Sequence, residues 1–156
     1  MAMEILSEEG TGVFREKILK GVTMLEKVDH IGIAVKDLEQ AIRLYKEAFG
    51  IEPSLVYESE YTKAKIAFFP IGQTRIELIQ PINPESVMGK FLEKKGEGVH
   101  HVSFKVKDVD RSLMEIESKG VQLIDKQSRK VRENERVAFL HPKSTNGVLF
   151  ELIQED

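Results

Sequence analysis

The chain has 156 residues, 41% hydrophobic and 31% charged, the range of a soluble domain able to bury its own core. A net charge of −3 with acids and bases interleaved offers no cationic face for nucleic acid, and the lack of cysteine excludes disulfides, thiolate ligands, a cysteine nucleophile and iron–sulfur clusters. No apolar run nears the roughly 20 residues of a spanning helix, and the N-terminus is acidic, unlike a targeting peptide, so the expected compartment is the cytoplasm and no membrane partner is expected.

Residues 1–24 read as an N-terminal extension, in which Val13 to Val22 could form one amphipathic helix; 25–156 read as a single domain. An alternating apolar strand over 28–35 ends at Lys36-Asp37, whose Asp can cap a helix over about 38–48 that stops near Gly50. Strand-like runs follow near 54–59, 64–70 and 74–80. Asn83-Pro84-Glu85 then starts a short linker helix, Asn83 its cap, running through Leu92 within a linker of 84–95.

After the GEG at 96–98 the pattern returns. VDHIGIAVKDLEQAI (28–42) matches VHHVSFKVKDVDRSL (99–113) at an offset of 71, KIAFFP (65–70) matches RVAFLH (136–141) at the same offset, and after a three-residue slip ELIQ (77–80) recurs at 151–154. The second copy predicts a helix over 109–119 and strands near 122–125, 135–140 and 147–153. The expected fold is therefore α+β: two tandem βαβββ modules, 27–83 and 97–154, whose mixed sheets form a cupped metal-binding cleft.

The repeat selects the chemistry. His30 matches His101 and Glu77 matches Glu151, each glutamate lying mid-strand between apolar residues where an unpaired buried charge is costly. Two imidazoles and two carboxylates around one point suit Co, Mn, Ni, Fe or Zn and leave a six-coordinate ion two open positions. His100 matches Asp29 and, by strand alternation, is expected to point away from His101. The short edge strands of such sheets predict a homodimer.

At these residues the sequence resembles the vicinal oxygen chelate superfamily, and within it the methylmalonyl-CoA epimerases, over about 27–154. The most specific stretches are VDHIGIAVKDLEQAI, PESVMGKFLEKKGEGVHHVSF (84–104) and VAFLHPKSTNGVLFEL (137–152). The resemblance implies an epimerase of a methylmalonyl-CoA-like thioester, with His30, Glu77, His101 and Glu151 as metal ligands and proton transfer through a metal-stabilised enolate. It points to Glu151 as one acid–base group.

The second acid–base group is where the sequence departs from the family. Lys65 stands where a glutamate is expected, and Glu60-Tyr61-Thr62-Lys63 replaces Glu-Gln-Gly, which leaves Glu60, Glu58 or Lys65 as substitutes. Arg129 to Glu135 replaces a glycine-containing turn, and its bases with Lys126 could meet the phosphates of coenzyme A. Lys143 and Ser144, in the hairpin HPKST, could contact a substrate carboxylate. A glyoxalase-I-type lyase (a lactoylglutathione lyase isomerising a hemithioacetal) and a non-catalytic small-molecule binding protein of the same fold are the competing functions.

Overall fold

A computed structural model describes residues 23–156, so the helix expected over Val13 to Val22 lies outside the described residues. Strand β1 (Lys27–Ala34) leads into helix α1 (Leu38–Phe49) at Asp37, whose carboxylate accepts from the Gln40 N–H at 2.9 Å. The helix ends at Gly50, which takes a left-handed φ of 66° and returns its N–H to the Lys46 carbonyl. The second Lys-Asp pair acts alike: after β5 (Gly98–Lys105), the Asp108 carboxylate accepts from Arg111 N–H at 2.9 Å and starts α3 (Val109–Ser118).

Three strands complete the first copy, β2 (Leu55–Ser59), β3 (Ala64–Ile71) and β4 (Thr74–Pro81), and three complete the second, β6 (Arg129–Arg132), β7 (Glu135–Leu140) and β8 (Phe150–Glu155). Between the copies runs α2 (Val87–Lys95). All eight strands form one sheet in the order β2-β3-β4-β1-β5-β8-β7-β6. First and last strands of each copy lie parallel, β1 with β4 and β5 with β8, while β1 and β5 pair antiparallel and join the copies. The sheet curls strongly, since Arg132 on edge strand β6 lies 5.6 Å from the ring centre of Tyr57 on the opposite edge strand β2.

Four details differ from the sequence expectation. The strand expected at 122–125 is absent: Leu123 makes a single bridge to Leu140, and Val121 and Leu123 are apolar because they pack into the core beneath α3. The pairing strand is β6, within the charged run taken for a loop; an edge strand with few buried positions carries no apolar alternation. Asn83 does not cap α2. It bonds the Glu85 N–H within a turn, and Ser86 caps the helix by accepting from Gly89 N–H at 3.1 Å. Finally, β8 starts at Phe150 because residues 145–148 close a turn, with Asn146 and Gly147 at positive φ.

Helices α1 and α3 cover the convex face. Leu38 meets Val35, Ala67, Phe69 and Leu78 under α1, and Val109 and Leu113 meet Val106, Ala138, Leu140 and Leu152 under α3. The concave face carries Ile66, Phe68 and Ile79 with Tyr57 and Met88 beside them. Leu113 is 1% exposed and its neighbour Met114 is 73% exposed. Leu113→Ala is therefore expected to cost about 2–5 kcal/mol in denaturant unfolding, against under about 0.5 kcal/mol for Met114→Ala. Equal costs would mean that α3 docks on another face.

Candidate metal centre

The centre of the concave face is built by two irregularities in the β1–β5 seam. Val28 pairs with Phe104 but His30 with Ser103, leaving Asp29 as an extra residue on β1; Gly32 pairs with His101 but Ile33 with Val99, leaving His100 extra on β5. Asp29 and His100 occupy equivalent places in the repeat. Each bulge breaks strand alternation. His100 consequently does not point away from His101, as alternation predicts: its Nδ1 lies 2.9 Å from His101 Nδ1, with its ring edge-on to Phe91. Asp29 likewise sits 2.8 Å from His30 Nδ1. Both central histidines thus have Nδ1 engaged by the residue just before them. For His30 the carboxylate fixes Nδ1 as the protonated nitrogen and leaves Nε2 as the donor whenever the ring is neutral.

The two Nε2 atoms lie 3.1 Å apart, and Glu77 Oε2 is 3.3 Å from each. Ligands about 2.1 Å from one ion sit about 3.0–3.4 Å from each other in octahedral or tetrahedral arrangements, so this triangle fits a divalent cation. His30, Glu77 and His101 are the group whose donor atoms all lie within 4.8 Å of one another. Glu151 Oε1 reaches His30 Nε2 at 3.3 Å but stands outside that mutually close set, and Ser103 Oγ–H donates to the same oxygen at 2.8 Å. The four residues lie on four adjacent central strands, β4, β1, β5 and β8.

Gly32 and Ser103 are equivalent in the repeat, and the difference between them matters. A Cβ on Gly32 would lie 2.2 Å from the His101 ring, so glycine is required for His101 to lie over β1. At position 103 the serine is fully buried and its hydroxyl holds Glu151.

Charge is concentrated here. Asp29, His30, Glu77, His101 and Glu151 are all buried. Burial opposes charge on Asp29, yet bonds from His30 and from Arg75, 2.5 Å away, outweigh it and hold this carboxyl well below the usual range. Burial also opposes charge on His30, but the Asp29, Glu151 and Glu77 carboxylates push its pKa up to about 10. Glu151 is lowered despite its burial, through His30, His101 and Ser103. Burial and the neighbouring His101 bring His100 down to about 4. The three carboxylates of Asp29, Glu77 and Glu151 thus gather with the His30 and His101 imidazoles at one buried point, a donor set that suits a divalent cation.

The other candidate residues lie apart from this cluster. Glu60 is exposed at the tip of the β2–β3 hairpin and bonds Lys63 Nζ at 2.7 Å; Ser59 and Thr62 on either side of it line the cleft. Lys65 and Glu58 are register partners and lie in a hollow beside Leu38 and Ile42 of α1, on the helix-covered side of the sheet. Lys65 therefore faces away from His30 and Glu77, because it alternates with Ile66 and Phe68 on the concave side. Lys143 and Ser144 belong to a 3₁₀ turn, Pro142–Ser144, and neither lines the cleft around His30. The Ser144 hydroxyl accepts from Gln122 N–H and pins that turn to the segment after α3. Lys126 pairs with Glu117 and Arg129 with Asp125 on the surface, while Arg132 turns into the cleft. Sequence reasoning missed Asp29, Gly32 and Ser103, and offered Arg132 only among the bases expected to meet coenzyme A phosphates, whereas it lines the inner cleft. The unequal pairs 29/100 and 32/103 within an otherwise matched repeat were the available signal.

Two outcomes are expected. Gly32→Ala should leave the fold intact yet weaken Co²⁺ binding by about 10- to 100-fold in a metal titration, since it displaces His101; unchanged affinity would mean that His101 is not a ligand. In metal-free protein the raised His30 pKa stabilises the fold fully below its ordinary 6.5, and that contribution is lost as pH rises through about 10. A bound ion replaces this proton, so the Tm difference between loaded and metal-free protein should widen as pH rises from 7 toward 10. A constant difference would place the displaced proton elsewhere.

Comparison with known proteins agrees with this geometry. Residues 29–139 match the model of the Glyoxalase/Bleomycin resistance protein/Dioxygenase superfamily. The chain is 37% identical over 130 residues to the uncharacterized protein YqjC of Bacillus subtilis, covering 83% of this chain and 93% of that one. It is 31% identical over 140 residues to the mitochondrial methylmalonyl-CoA epimerase of Homo sapiens, covering 89% and 80%. A methylmalonyl-CoA epimerase of Streptomyces coelicolor, solved with 2-nitronate-propionyl-CoA, superimposes with a TM-score of 0.79 at 36% identity, covering 84% of this chain and 95% of that one. The chain belongs to the glyoxalase/bleomycin resistance/dioxygenase superfamily, in which it is an isomerase of the epimerase kind.

Proposed function

We propose that the protein is a divalent-metal-dependent epimerase of a methylmalonyl-CoA-like thioester. In this reading it is one domain of two modules, 27–83 and 97–154, working as a cytoplasmic homodimer. The observation that carries the metal is the triangle of His30 Nε2, His101 Nε2 and Glu77 Oε2, with sides of 3.1, 3.3 and 3.3 Å. The substrate class is supported by relatives whose names describe methylmalonyl-CoA epimerases, among them one solved with methylmalonyl-CoA. The single sheet through β1 and β5 supports one domain, and the outer edge of β2, unpaired among the described residues and with Leu55 and Val56 exposed, supports a partner copy.

His30, Glu77 and His101 would hold the ion, with Glu151 as a fourth ligand. When bound, the ion supplies positive charge where negative charge develops as the α-proton leaves the substrate. Asp29 keeps the His30 ring oriented. Glu151 is the acid–base group on one side: its charge is maintained by His30 and His101, and with Oε1 held by Ser103, Oε2 is the atom that takes or returns the proton. On the opposite side the hairpin carrying Glu60 borders the cleft through Ser59 and Thr62, which favours Glu60 over Lys65 as the second group. Ile66, Phe68, Val137 and Ile153 line the cleft with apolar surface and limit water around that proton.

The test is exchange of the α-proton of methylmalonyl-CoA with deuterated solvent, followed by NMR. Chelated protein should lose exchange and regain it with Co²⁺ or Mn²⁺. Glu151→Gln and Glu60→Gln should each slow exchange by about 10²-fold or more, while Lys65→Met leaves it unchanged. Equal exchange by chelated and loaded protein would refute the metal, and no exchange in loaded wild type would refute the substrate.

A further inference from the structure

We propose that Arg132 is the specificity-determining residue that recognises the free carboxylate of the substrate; this rests on the thioester reading above. The inner cleft is lined by three carboxylates, those of Glu77, Glu135 and Glu151, which repel an anionic acyl group. Arg132 is the one Lys or Arg side chain that lines it among the described residues. Its guanidinium lies 5.6 Å from the ring centre of Tyr57 and 5.5 Å from that of Phe68, and Phe68 in turn stacks edge-on against His30 at 5.7 Å. One aromatic ring thus separates the charge from the central cluster.

Other cations are committed elsewhere. Arg75 also approaches Phe68, at 4.5 Å, but it is bound to Asp29 and Glu155 and does not line the cleft. Lys27 pairs with Asp29, and Lys63 with Glu60.

Arg132 is also held ready. Glu135 takes its Nε at 2.6 Å and its Nη2, and among the described residues no protein partner takes Nη1. That arrangement suits a charge-assisted bond from Nη1 to a carboxylate, made without reordering the side chain. Arg129 adds a second tie across the mouth, donating from Nη1 to the Tyr61 hydroxyl at 3.1 Å. Arg129 and Arg132 come from one of the stretches in which the sequence departs from the epimerase pattern and Tyr61 from the other, and Arg129 and Tyr61 meet across the mouth of the cleft.

The experiment measures calorimetric Kd for methylmalonyl-CoA and for propionyl-CoA, which lacks the carboxylate, in metal-loaded wild type, Arg132→Met and Arg132→Lys. Wild type should prefer methylmalonyl-CoA. Arg132→Met should lose about 10- to 100-fold on methylmalonyl-CoA while holding propionyl-CoA as before, and Arg132→Lys should fall between. Should Arg132→Met fail to fold, Arg132→Lys carries the test, because it keeps the charge and loses the fork. Equal weakening of both ligands, or a preference that survives in a folded variant, overturns the role of Arg132. A wild type that binds neither thioester overturns the substrate reading itself, a different and separable result.

Discussion

The antiparallel pairing of β1 with β5 is the constraint on which the site depends. It sets His30 and His101, 71 residues apart in the chain, with their Nε2 atoms 3.1 Å from each other, and the parallel partners β4 and β8 then deliver Glu77 and Glu151 from either side. The two bulges in this seam do more than bend it. Each turns the extra residue back toward the histidine that follows, so that Asp29 and His100 hold ring nitrogens that alternation alone would have left to solvent or backbone.

Duplication supplies the frame and divergence supplies the chemistry. The buttress of His30 is an anion, itself clamped by Arg75, whereas the buttress of His101 is a second imidazole seated on Phe91 of the linker helix. Position 32 must be empty for His101 to lie flat, and its counterpart at 103 is filled by a hydroxyl that steadies Glu151. The two halves therefore offer unequal surroundings to a carbon placed between them.

Much of this was legible in the amino-acid sequence. The matched registers identified two copies of one unit, Asp37 and Asp108 announced their helices, and the same registers marked the residues that the structure brings together as His30, Glu77 and His101. What stayed hidden depended on single-residue shifts or on packing. A bulge inserts one residue without changing composition, so His100 was assigned to the wrong side. Val121 and Leu123 looked like a strand because core packing and sheet pairing demand the same apolar residues, and β6 looked like a loop because an edge strand does not. The inward turn of Arg132 follows from the curl of the whole sheet, which no local pattern encodes.

That curl also sorts the molecule mechanically. The strands carrying His30, Glu77, His101 and Glu151 are hydrogen-bonded on both flanks, whereas among the described residues β2 and β6, which carry Tyr57 and Arg132, are bonded on one flank only. Local opening is cheapest where fewest bonds are broken. The protein is built as a clasp with a stiff spine and yielding tips: local opening at the tips leaves His30, Glu77, His101 and Glu151 in place, so under the proposed function substrate exchange and ion retention would run on separate clocks.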